Sequence, residues 1–190
     1  MGIKINKPII YLGSNKIKVN SISDFNNKLI KEKLGSLHIH KEKKKNILDI
    51  ALKVGKAAIY QKKPNLLIFV SQTQDRVFPS AAEELAEKLN LDKNTIVLTL
   101  SSGCSGVVQA LFLAYNILNQ NIKSALIICV EKYSKFIGKK DKKTQVLFSD
   151  AGSATMIDFT RDDNLLFSDF GFDGKNSNAL CINDNNQLFM

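Results

Sequence analysis

Cys104 stands in the segment "SSGCSG", Ser101 to Gly106, between an apolar run ending at Leu100 and the apolar stretch "VVQALFLAYNIL". That grammar predicts a strand over Thr95–Leu100, a tight turn over Ser101–Gly103, and a helix from about Cys104. The small residues Ser101, Ser102, Gly103, Ser105 and Gly106 leave room for a substrate and let the backbone turn sharply. A helix N-terminus carries unsatisfied N–H groups and partial positive charge. Both favour a thiolate, and the same N–H groups can hold an oxyanion formed by attack on a thioester. The residue types fit a nucleophile. They fit equally a small residue packed at a helix start, and the local sequence leaves both open. A hydrolase elbow, G-x-nucleophile-x-G, fits less well: position 102 is Ser, and no histidine follows Cys104 to act as base.

The other residues with metal or redox chemistry are sparse. Cys104, Cys129 and Cys181 are odd in number and have no CxxC spacing, which argues against disulfides and zinc. Cys129 lies inside the apolar run "SALIICVEK" and is expected to be a small buried hydrophobe. His38 and His40 share a face if they lie on a strand, but no further ligands accompany them, so no metal is expected. The net charge is +9, almost all from lysine, with Arg76 and Arg161 the only arginines. Nucleic-acid surfaces lean on arginine, so no nucleic-acid partner is expected. The surface should attract acidic partners. The run "KEKKK", Lys41–Lys45, reads as a solvated helix start, or as a docking patch for an acidic protein. No apolar run reaches about 18 residues, and "MGIKINKPII" has no signal-peptide core. A cytoplasmic protein without a membrane partner is expected.

The elements that must position Cys104 follow from periodicity. A short strand is expected over Pro8–Leu12. A helix should follow, capped by Ser23 or Asp24, with Phe25, Leu29 and Ile30 on its apolar face and Gly35 as its stop. Ile47, Ile50, Ala51, Val54, Ala58 and Ile59 mark a clear amphipathic helix, ended by Pro64. "NLLIFVSQ" and "TIVLTL" read as strands buried on both faces, with a helix entered through Pro79 between them and Glu83 and Glu84 near its positive end. "KSALIICVEK" is a third buried strand. "TQVLFSD" and "GSATMIDF" read as strand-like pieces joined by Asp150–Gly152, and "NLLFSDFGFDG" and "NALCIND" as further strands. Alternating buried strands and helices imply an α/β fold, with a mainly parallel sheet, helices on both faces and antiparallel strands at the edges.

Beyond the nucleophile turn, "LLIFVSQTQDRVFPSAAEELAEKLNL", "SALIICVEKYSKF" and "TQVLFSDAGSATMI" complete a pattern. Over about residues 47–158, the chain resembles the β-ketoacyl-acyl-carrier-protein synthase III family of the thiolase fold. "FPSAA", "GCSG" and "FSDAGSA" occur in the family's order. The resemblance implies that Cys104 is the acyl-accepting nucleophile, supported by Gly103, Ser105 and Gly106. It places Phe78 where a family member bounds its partner's acyl pocket across a homodimer. It puts Asp150, Ala151 and Gly152 on the family's "GDGAGA" turn behind the active site. "GFDGKNSNAL", Gly171 to Leu180, resembles the strand and loop that carry "ADG".

The implied activity is ping-pong acyl transfer: a primer from an acyl-coenzyme A or acyl carrier protein thioester loads onto Cys104, then condenses with malonyl-acyl carrier protein. No cofactor is called for. The family completes its site with a His and an Asn from a second, pseudo-duplicated half. The resemblance therefore implies that residues 1–190 are the N-terminal thiolase-like domain, with the C-terminal half absent. Such a chain should acylate but not condense, and should expose an apolar face that associates with itself or with the missing half. Two departures bear on the substrate. There is no Trp, and Lys143 stands where the family has a coenzyme A-gripping arginine. "SQTQD", Ser71–Asp75, brings Gln and Asp where the family has small and hydroxyl residues. The alternative is a non-catalytic thiolase-fold remnant that binds a partner.

Overall fold

The computed structural model describes residues 2–23, 27–60, 62–76, 78–162, 169–183 and 185–189. In chain order, its strands and helices are β1 (Gly2–Ile5), β2 (Ile9–Leu12), β3 (Asn15–Lys18), α1 (Asn27–Leu34), β4 (His38–Lys41), α2 (Ile47–Ala58), β5 (Leu66–Val70), α3 (Ala81–Lys88), β6 (Ile96–Leu100), α4 (Gly106–Ile117), β7 (Ser124–Glu131), α5 (Lys142–Gln145), β8 (Ala151–Thr160), β9 (Cys181–Ile182) and β10 (Leu188–Phe189). They fall into two compact units: 1–11, 45–131 and 152–168 form the first, and 12–44, 132–151 and 169–190 the second.

The first unit is built on a six-stranded sheet in the order β1-β8-β7-β5-β6, with β2 also pairing β8. β5 runs parallel to both neighbours, Leu66 facing Ile96 of β6 and Ala125 of β7. β1 runs antiparallel to β8, Gly2 opposite Thr160. The sheet is thus mixed, as expected. Its helices cover both faces. Leu67 and Phe69 of β5 join one apolar cluster with Ile47, Ile50 and Val54 of α2 and Leu85 of α3. Leu66, Ile68 and Val70 point the other way, into a cluster with Ala110 and Ala114 of α4. All five β5 residues are buried, which explains the unbroken apolar run.

Local chemistry sets the helix limits. Asn46 caps α2 by accepting from the Asp49 N–H (2.7 Å), and Asp49 returns the bond to the Asn46 N–H (3.1 Å), a reciprocal capping box. Ser80 caps α3, its hydroxyl accepting from the Ala82 N–H (3.3 Å), so Pro79 lies one residue ahead of the cap. α2 ends at Ala58, well before Pro64, which is therefore not its stop.

The second unit pairs β3 with β4 antiparallel, Lys18 opposite His38. Val19, Ile39 and Val146 form its core, with Ile17, Ile22, Leu34 and Leu37 packed around. Gly35, at φ +70°, ends α1 as expected. α1 starts at Asn27, so Ser23 is not its cap; its hydroxyl donates to the Val19 carbonyl (3.3 Å) instead. Asp24, Phe25 and the side chains of Leu29 and Ile30 lie outside the described residues.

Four further expectations need correction. β6 is only half-buried because it is the last strand of the sheet order, with no described strand beyond it. "TQVLFSD" is not a strand. Asp141 caps the short helix α5 by accepting from the Thr144 N–H (3.0 Å), and regular pairing resumes only at Ala151. Asp169–Gly174 has no regular element, and Asn164–Ser168 lies outside the described residues. "NALCIND" supplies β9, which pairs with β10 in a separate two-stranded sheet and adds nothing to the main sheet's edge.

Candidate active site

β5 and β6 lie parallel, so their C-terminal ends come together, the usual location of a site in such sheets. The Ser71 N–H donates to the Leu100 carbonyl (3.0 Å), extending the pairing past β5. Directly after β6, Gly103–Ser105 forms a single 3-10 turn, and α4 begins at Gly106. Cys104 thus sits on a tighter turn ahead of the α-helix rather than at its first residue. Its thiol is exposed.

Two glycines make this turn possible. Gly103 is at φ +52°, and a Cβ there would lie 2.6 Å from Gln72 Oε1. At Gly106, a Cβ would stand 2.4 Å from Val70 Cγ1, so the start of α4 rests directly on β5. Ser105 makes no side-chain cap to α4. Its hydroxyl donates to the Ser102 carbonyl (2.9 Å) and accepts from Gln109 Nε2 (3.2 Å), which closes the turn on itself. Gly103, Cys104, Ser105 and Gly106 are thereby brought into one rigid corner.

The loop after β5 forms the floor beside that corner. Glu131, at the end of β7, accepts from the Gln72 N–H on one carboxylate oxygen (2.8 Å) and from the Thr73 hydroxyl on the other (2.7 Å). Gln74 Oε1 accepts from the Ala81 N–H (3.2 Å), and Asp75 from the Ile47 N–H (3.0 Å). "SQTQD" is therefore an anchored loop, tied to the starts of α2 and α3. Phe78 follows it and is 89% exposed. On α4, Val107, Val108 and Phe112 are exposed as well.

The remaining expected residues have structural neighbours of their own. A Cβ on Gly152 would lie 2.5 Å from Ile50 Cγ2, so this glycine lets β8 pack against α2. Asp150 belongs to the second unit and is fully buried. Its carboxylate accepts from the Glu42 N–H (2.7 Å), the Ser134 N–H (3.0 Å) and the Ser134 hydroxyl (2.5 Å), while its own N–H donates to the His40 carbonyl (2.7 Å). Cys129 is partly buried against the α4-side cluster. Burial, with the charge of Glu131, pushes its thiol up to about 11 against an opposing hydrogen bond from Ser153. His38 and His40 both lie on β4, and no group of three or more metal-binding side chains occurs among the described residues. A cleft of about 650 Å³ lined by Lys4, Lys7, Tyr60, Lys62 and Asp158 does not include Cys104. No helix among the described residues is long and apolar enough to cross a membrane.

Sequence reasoning missed Glu131. A carboxylate closing an apolar strand has no local signature beyond its position, and its partners come from the loop after another strand.

The geometry agrees with what the comparisons find. The family model described as 3-oxoacyl-acyl-carrier-protein synthase III matches residues 98–174. A curated Campylobacter jejuni protein named for 3-oxoacyl-acyl-carrier-protein synthase 3 is 37% identical over 116 residues, 61% of this chain and 33% of its own length. The crystal structure of 3-oxoacyl-acyl-carrier-protein synthase III from Aquifex aeolicus superposes with a TM-score of 0.87 at 25% identity, covering 100% of this chain and 64% of that one. The crystal structure of the Pseudomonas aeruginosa protein of the same name gives 0.85 at 21%, again covering 100% and 64%. The chain spans a third of the curated relative and under two thirds of these solved structures. With its mixed sheet, the chain shares the thiolase-like fold of these structures, and residues 98–174 are similar to 3-oxoacyl-acyl-carrier-protein synthase III.

Proposed function

We propose that Cys104 accepts an acyl group from a thioester. The observation that carries this reading is the exposed Cys104 on the Gly103–Ser105 turn, two residues ahead of α4, at the joined ends of β5 and β6. The thiolate adds to the thioester carbonyl, and a C–S bond forms to Sγ while the carbonyl π pair moves onto oxygen. The oxyanion lies near the positive end of α4. The carbonyl then re-forms, the C–S bond to the donor breaks, and the donor thiolate leaves and takes up a proton.

The donor is acyl-coenzyme A or an acyl carrier protein, and the second substrate of the complete reaction is malonyl-acyl carrier protein. The +9 charge suits an acidic carrier. Exposed Phe78 and the apolar outer side of α4 suit contact with a second copy, as a cytoplasmic homodimer. Both histidines of the chain lie on β4, so we expect these 190 residues, read as the N-terminal domain of a longer enzyme, to stop at the acyl-enzyme.

The test is intact-mass spectrometry after incubation with acetyl-coenzyme A and with longer acyl thioesters. One acyl adduct, lost in Cys104→Ala, is the expected result. A folded chain that takes no acyl group overturns the reading and leaves a partner-binding protein of the same fold.

A further inference from the structure

One side chain ties the end of β7 to the loop after β5, beside the turn that carries Cys104. Glu131 ends β7, the neighbour of β5 on the side away from β6. Its two carboxylate oxygens hold the Gln72 N–H and the Thr73 hydroxyl, both in the loop after β5. The Thr73 N–H donates in turn to the Ser71 hydroxyl (3.3 Å), within the same loop. Gln72 then lies against Gly103, so closely that its Oε1 occupies the space next to the glycine's Cα. Gly103 and Cys104 are consecutive residues of one 3-10 turn.

We propose that Glu131 is a positioning residue for Cys104, acting through Gln72: the carboxylate fixes the loop, the loop shelves the turn, and the turn aims the sulfur. A charged acceptor taking two donors is a strong and directional anchor. Misplacement of a reacting group by about 1 Å can cost about a hundredfold in rate. The positive φ of Gly103 makes the turn dependent on such outside support, because no side chain of its own can fill that space. The proposal rests on reading Cys104 as the acyl acceptor, but its test does not require acylation.

Backbone hydrogen exchange over residues 102–106 and the rate of Cys104 alkylation by iodoacetamide are measured in the wild-type chain, Glu131→Ala, Glu131→Gln, Gln72→Gly and the double variant Glu131→Ala/Gln72→Gly. Glu131→Ala and Gln72→Gly should each raise exchange over 102–106 about tenfold, because a locally supported turn opens independently of the sheet. Each should change the alkylation rate by at least about threefold, and the double variant should add little, as expected for residues acting in series. Glu131→Gln, which keeps an acceptor at the same reach, should recover most of the wild-type behaviour. Protection in β5 and β7 should stay unchanged.

A folded Glu131→Ala chain with wild-type exchange over 102–106 and wild-type alkylation overturns the proposal. Equal loss of protection in β5 and β7 also overturns it, since Glu131 is then a stabiliser of the sheet and no more. If Glu131→Ala does not fold, Gln72→Gly decides, because Gln72 is exposed and its loss empties no core. Failure of wild-type acylation with intact coupling between Glu131 and the turn sinks the functional reading and leaves this one standing.

Discussion

Gln72 and Gly103 meet just past the C-terminal ends of the parallel strands β5 and β6, and the left-handed backbone at 103 suits a glycine. A Cβ at position 103 would stand 2.6 Å from Gln72 Oε1, on a backbone at φ +52°. Gly103→Ala should therefore lower stability by about 1–2 kcal/mol, chiefly through left-handed strain, because the exposed Gln72 amide can swing aside. It should reduce Cys104 acylation more than it reduces the folded fraction. Urea unfolding beside acyl-adduct mass spectrometry measures both. An alanine variant with wild-type stability and wild-type acylation would show the contact to be slack.

The thiols should separate cleanly. Cys104 is exposed, whereas burial raises the Cys129 thiol to about 11. At pH 8, about one Cys129 in a thousand is then a thiolate. Iodoacetamide at that pH should modify Cys104 and leave Cys129 intact until the protein unfolds, as peptide mapping with and without urea would show. Rapid labelling of Cys129 in the folded chain contradicts this.

Asp150 should be among the costliest residues to lose in the second unit. Asp150→Ala strands the Glu42 N–H and both donors of Ser134 inside a buried site. A loss of about 3–5 kcal/mol is expected. Limited proteolysis should find new cleavage within 12–44 and 132–151, and urea unfolding should give the magnitude. A cost below about 1 kcal/mol would mean that water replaces the carboxylate.

Acid sensitivity has an identifiable contributor. Burial opposes ionisation of Asp158, but hydrogen bonds from Lys62 and Asn6, with the charges of Lys62 and Lys4, outweigh it and hold the carboxyl below its usual range. Lys62 Nζ lies 2.6 Å from its Oδ1. A lowered folded-state value means that stability is present above the unfolded value, about pH 4, and lost as pH falls through the folded one. Asp158→Asn should be less stable than wild type at pH 7, with the two converging as pH falls through the lowered folded-state value. Parallel curves across that range would rule this contribution out.

What could be read in advance was whatever a single segment decides. The apolar spacing of Ile47, Ile50, Ala51 and Val54 marks α2, and the unbroken run in β5 marks a strand covered on both sides. The turn around Cys104 was legible because its small residues occur together. β1 and β3 were not, since each is four residues long and carries exposed lysines; their pairing comes from distant Thr160 and Lys41. "TQVLFSD" has strand-like apolar residues, but the Asp141 cap starts a helix first. β6 and β5 look alike as sequence, and only the order of strands in the sheet makes one an edge and the other the centre. Glu131 shares that difficulty: its role exists only once β5 and β7 are neighbours.

The two-faced burial of β5 has a mechanical consequence. Leu67 and Phe69 complete one apolar cluster while Leu66, Ile68 and Val70 complete the other, so a five-residue strand is the common wall of both. Neither helical layer can melt away and leave that wall dry on its other side. Loosening α2 and α3 withdraws support from α4, and the reverse holds. The layers of the first unit should come apart together, in one transition.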